Sequence, residues 1–166
     1  MHGWVGWRRA LVAAAAVSVA VASAGMAAAP AAASAFADLG GSWSGSGHIR
    51  LENNQREAIR CKASYVPRRG GTALGLSLRC ASPSGRVELR ASLSASGNRV
   101  SGTWEERSYG LSGRISGRTQ GNRLRLTFQG GLRGAMLVTT NGRSQSISMR
   151  TDTSALQGVN VSLRRR

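Results

Sequence analysis

The side chains best placed to act on another molecule in this sequence are arginines. Of 23 basic residues only Lys62 is a lysine, and seven carboxylates stand against them, for a net charge of +16. A guanidinium is a planar fork that grips phosphate or carboxylate with two hydrogen bonds at once. Coding bias toward GC explains arginine in place of lysine beside abundant Ala and Gly, but not the shortage of acids. Arg60, Lys62, Arg79, Arg114, Arg118, Arg123 and Arg125 fall at the outward phase of alternating segments, so they are the anion-binding candidates. The expected partner is an anionic envelope component: lipid A phosphates, phospholipid headgroups with weak membrane-surface association, acidic polysaccharide or an acidic protein. A solvated basic surface that only aids solubility accounts for the charge equally well.

Other chemistry is poorly served. His48 is the one histidine beyond the N-terminal segment, and there is no G-x-S-x-G, no cluster of metal ligands and no phosphate-binding glycine loop. Glu105 and Glu106 are adjacent, so a strand sends them to opposite faces, which rules them out as a carboxylate pair. Glu106 shares a face with Trp104 and stands near a strand end, where a solvated or arginine-paired carboxylate is expected. The reading is therefore of a non-enzyme with no catalytic residue, no metal and no cofactor. Nucleic acid is not expected, because no aromatic platform accompanies the arginines.

The elements that position these residues are short strands. Apolar and polar residues alternate in ten segments: 43–51, 58–66, 72–80, 86–94, 99–106, 111–119, 123–129, 135–140, 143–150 and 159–164, with turn residues between them. The fold class is all-β, an antiparallel meander closing into a small barrel of about 8–10 strands, with a β-sandwich as the alternative. Turn chemistry sets registers. A Gly70-Gly71 turn places Cys61 directly opposite Cys80 and Lys62 opposite Arg79, and the two cysteines are expected to form a disulfide. Gly97-Asn98 pairs Arg90 with Glu105, Glu88 with Arg107 and Ala91 with Trp104. Gly121-Asn122 pairs Arg118 with Arg125, and Asn141-Gly142 closes a further hairpin.

Arg8 and Arg9 precede an uncharged run from Ala10 to Ala37, with small residues at Ala33-Ser34-Ala35. This pattern predicts a cleaved signal helix over 1–35 and one all-β domain over 36–166, exported to the periplasm or beyond the cell. An uncut anchor is the alternative. The oligomeric state is left open.

Gly41-Ser42-Trp43 opens the first strand and Gly102-Thr103-Trp104 repeats the tripeptide. Both resemble the G-x-W signature of calycin-type barrels, the group of lipocalins, avidins and small bacterial periplasmic metalloprotease inhibitors. The resemblance implies a closed meander, and it offers a second kind of function: inhibition through the N-terminal segment Phe36-Ala37-Asp38, or carriage of a small apolar ligand. The inward phase is aliphatic and carries Gly102, Gly113 and Gly117. These glycines either leave a cavity or let a tightly coiled wall close, and closure is favoured.

Overall fold

The computed structural model describes residues 34–166 apart from residue 154. The segment predicted to be a signal helix lies, but for its last two residues, outside the described residues. Ten antiparallel strands follow in chain order: β1 (Gly41–Leu51), β2 (Arg56–Arg68), β3 (Ala73–Ser82), β4 (Gly85–Ser96), β5 (Arg99–Glu106), β6 (Leu111–Gln120), β7 (Arg123–Gly130), β8 (Gly134–Asn141), β9 (Ser144–Thr151) and β10 (Leu156–Arg165). Each pairs with its neighbours in sequence, and β10 returns to pair with β1, closing the barrel. Closure leaves no row of unpaired backbone groups at a sheet edge. The strands are those that alternation marks out, with ends that differ from it by at most three residues.

Hairpin chemistry holds the registers. Cys61 faces Cys80 and Lys62 faces Arg79 as expected, although the connection is a four-residue loop rather than a two-residue Gly-Gly turn. Both loop lengths are centred on the same point, so the register is the same. Gly97, Gly121 and Gly142 each stand first in a two-residue loop with φ near +57° (57°, 57° and 56°), the glycine-first arrangement of a type II′ turn. The third hairpin is thereby a correction: it turns at Gly142-Arg143, one residue beyond Asn141-Gly142. The shift moves the partners by two positions and leaves every side chain on its expected face.

Glycine in the wall permits closure. A Cβ on Gly45 would stand 1.9 Å from the Ser162 carbonyl oxygen across the β1–β10 seam, and one on Gly113 would stand 1.8 Å from that of Gln129. Gly102 and Gly117 meet the Ser92 and Arg125 carbonyls in the same way. No side chain fits there, because the neighbouring strand occupies its place.

One end of the barrel is plugged. A single 3-10 turn, Ala37–Leu39, lies across it, and Phe36 donates its backbone N–H to the Gly71 carbonyl and is fully buried. Trp43 packs beneath, donating its indole N–H to the Leu39 carbonyl at 2.9 Å, with the Tyr65 ring edge-on and the Arg165 guanidinium over its face. Arg164 and Arg165 belong to β10, and Arg166 donates its N–H to the Ser42 carbonyl, so the basic C-terminal run is docked. Deeper in the barrel, lumen-facing Leu76, Leu78, Val87, Leu89, Ile115 and Met136 are only half-buried. Ten strands enclose a wider bore than the eight that side chains just fill.

Candidate functional site: a basic groove over the disulfide

Alternation along β2 buries Ile59, Cys61, Ala63 and Tyr65 and sends Arg60 and Lys62 outward. On β3 the same period buries Cys80 and exposes Arg79. Cys61 and Cys80 form a disulfide directly across the β2–β3 ladder, with Cα atoms 4.1 Å apart. The bond ties together the strands on which Lys62 and Arg79 stand side by side. Like charges in that position repel. The covalent tie and the ladder hold them there regardless.

Around this pair the outer wall forms a groove of about 670 Å³, running from β1 to β4. Arg60, Lys62, Arg79, Arg86 and Arg166 line it, with Ser44 and Ser46 along one side. Arg166 is brought in by closure: its Nε donates to Ser44 Oγ at 2.8 Å. One carboxylate, Glu88, stands in the groove, with Oε1 3.5 Å from Arg79 Nε, and this is the one ion pair among the described residues. Both partners are well exposed, so the pair contributes little to stability and gives way readily to a competing anion.

Three of the seven candidates, Arg60, Lys62 and Arg79, thus meet in one groove. The other four stand elsewhere on the ring: Arg114 and Arg118 on β6, Arg123 and Arg125 on β7, all exposed. Arg118 pairs with Arg125 on one side and with Arg99 on the other, so three arginines form a row across β5, β6 and β7. Of the seven candidates, three therefore stand in the groove, Arg118 and Arg125 in this row, and Arg114 and Arg123 in neither. Sequence reasoning passed over Arg166 because only closure brings β10 beside β1. Arg86 carried the right signal, an outward arginine one strand away from Arg79.

Two of the seven carboxylates, Glu106 and Glu57, are occupied by structure. Glu106 is buried and takes backbone N–H bonds from Glu88 and Ser108 on Oε1, at 2.8 and 2.9 Å, and from Tyr109 on Oε2 at 2.7 Å. Burial pushes its pKa up, but these three amides together with the Ser108 side chain outweigh burial and hold it below the ordinary carboxylate value. It is neither solvated nor arginine-paired, as its place near a strand end suggested; it clamps the β5–β6 turn. Glu57 caps the β3–β4 turn through the Ser84 hydroxyl and N–H, and the hydroxyl bond is the main cause of its lowered pKa. Arg90 and Glu105 stand opposite each other as expected without forming an ion pair, and Arg107 meets Glu88 through its backbone N–H. His48 faces outward from β1, half-buried. No group of three or more metal-ligating side chains occurs among the described residues.

No family model matches the chain, and no curated protein matches it. The closed ten-strand antiparallel meander is consistent with the calycin-like architecture that the two Gly-x-Trp tripeptides suggest.

Proposed function

We propose that the protein is an exported, non-catalytic binder of an anionic envelope component, and that the groove over β1–β4 is where it binds. One observation carries the reading: five cationic side chains converge on a concave patch with a single exposed carboxylate among them. Lys62 and Arg79, pinned as neighbours by the disulfide, are relieved of mutual repulsion when an anion bridges them. A disulfide is also compatible with an oxidising, exported compartment. The candidate anions are a lipid A phosphate, a phospholipid headgroup, an acidic polysaccharide and an acidic protein surface.

The test is titration with a panel of these anions at several salt concentrations. Affinity should fall steeply as salt rises, and Arg60→Ser/Lys62→Ser/Arg79→Ser should reduce it at least about tenfold. A salt-independent complex, or one indifferent to the triple variant, removes the groove from the account.

A second reading draws on the lumen. The half-buried leucines and methionine facing it, in a bore wider than an eight-strand barrel's, suit a small apolar ligand of the kind calycins carry. Native mass spectrometry of gently purified protein separates the readings: a retained apolar mass supports carriage, and a bare chain removes it. In the segment Phe36-Ala37-Asp38 on which the inhibitor version rests, Phe36 is fully buried while Ala37 and Asp38 are exposed.

A further inference from the structure

Arg60 on β2 is five strands away from Arg125 on β7, half of the ten-strand ring. The register joins them along one course. Arg99, Arg118 and Arg125 stand in a row, and the row continues through Leu137 on β8, Ser148 on β9, Asn160 on β10 and His48 on β1. The last four line a trough of about 290 Å³ whose other walls are mostly serine and threonine hydroxyls. Ser46 belongs to both the trough and the basic groove, so the two run into one another. Strands β1 and β6 to β10 contain no Asp or Glu, so no carboxylate stands between the two arginine clusters on this course, and Glu88 in the groove at its end is paired with Arg79. The other way round the ring passes the outward carboxylates Glu88 and Glu105.

We infer that this course is one track for a linear acidic polysaccharide, with charged groups held by arginines at both ends and sugar hydroxyls hydrogen-bonded by the trough between them. The inference rests on the proposed anion-binding role of the groove and names the ligand class. At about 4.8 Å per strand, the path from Arg125 to Arg60 is roughly 24 Å along a curved wall. A free phosphate or one headgroup covers a single cluster. A flat membrane meets one side of a barrel at a time, whereas a flexible chain follows the curve. Neutral hydrogen-bonding groups between two cationic stretches match a polymer that bears both hydroxyls and carboxylates better than one bearing charge alone.

The probes are alginate, a linear polyuronate, as disaccharide and as long polymer, and phosphatidylglycerol vesicles. The proteins are the full domain, the groove variant Arg60→Ser/Lys62→Ser/Arg79→Ser, and the track variant Arg99→Ser/Arg118→Ser/Arg125→Ser. Both variants relieve like-charge neighbours on the exposed wall, and an intact disulfide with an unchanged circular dichroism spectrum verifies that each folds. The long polymer should bind the unaltered protein at least about tenfold more tightly than its number of repeats alone gives, since two linked clusters act together. The track variant should lose that excess yet still bind the disaccharide, which the groove variant should bind at least about tenfold more weakly. Polymer affinity indifferent to the track variant overturns the inference and leaves the groove reading standing. Vesicle binding as strong as polymer binding, dependent on either cluster alone, also overturns it and makes a membrane the ligand. Failure of disaccharide, polymer and vesicles alike to bind at low salt brings down the groove reading itself, and the track with it.

Discussion

Trp43 and Trp104 enter strands on the same tripeptide, Gly-x-Trp, both face the lumen and both meet an aromatic ring edge-on at 6.2 Å, Tyr65 in one case and Phe128 in the other. Their surroundings diverge. Trp43, 1% exposed, sits beneath the plug with its N–H satisfied by Leu39 and its face covered by Arg165. Trp104, near the far end of β5, has small Ala91 and Gly113 as its cross-strand neighbours, and its buried Nε1 has no hydrogen-bond acceptor. Half-buried Leu89, Leu111, Leu132 and Met149 surround it. One tripeptide thus serves as the keystone of a closed end and as a ring laid against a looser wall. The tripeptide places a ring on the inner face; what closes over that ring comes from elsewhere in the chain.

The largest effect should come from emptying the closed end. Trp43→Ala removes the largest fully buried side chain among the described residues together with the seat for the Arg165 guanidinium, at a cost of about 3–5 kcal/mol. Trp104→Ala, among partly exposed neighbours, should cost less in the same urea titration. Equal losses would erase the distinction between the two ends.

Two residues beyond Trp104, Glu106 gives that end its own anchor. Glu106→Gln leaves an acceptor for only part of the amide cluster and should cost about 1–3 kcal/mol at neutral pH. The folded-state pKa is lowered, so its stabilisation is complete above the ordinary glutamate value of about 4.3 and is lost as pH falls through the lowered value. Unfolding followed against pH should therefore show a shallower acid limb in Glu106→Gln than in the unaltered protein. Parallel limbs would mean that the clamp contributes no pH dependence.

The finest contrast is between two phenylalanines. Trp43→Phe forfeits the bond to Leu39 and should lose about 1 kcal/mol more than Trp104→Phe, which forfeits no hydrogen bond. A larger loss at Trp104 would mean that its N–H has a partner in solution.

Most of the wall was legible because its causes are local. Period-two alternation marked every strand from Trp43 to Arg164, and a glycine turn was enough to set Cys61 against Cys80 and Arg118 against Arg125. The turn at Gly142-Arg143 was misplaced by one residue because Asn-Gly competes with glycine-first geometry on the same four residues. Glu106 was misread for a different reason. Its partners are backbone amides of a turn and a neighbouring strand, and amides carry no signature in side-chain pattern.

By itself the sequence determined an all-β meander, the registers of three of its hairpins, the inward and outward faces and the disulfide, since each follows from contacts between chain neighbours or across one hairpin. Only the tertiary structure decided that β10 closes on β1, that the plug seals one end while the lumen beyond keeps accessible apolar surface, and that Arg166 joins the groove while Arg99, Arg118 and Arg125 form a separate row across an intervening stretch free of carboxylates. Those outcomes depend on where strands far apart in sequence come to lie around a closed ring. Alternation and turn chemistry, which act over one hairpin at a time, do not reach that far.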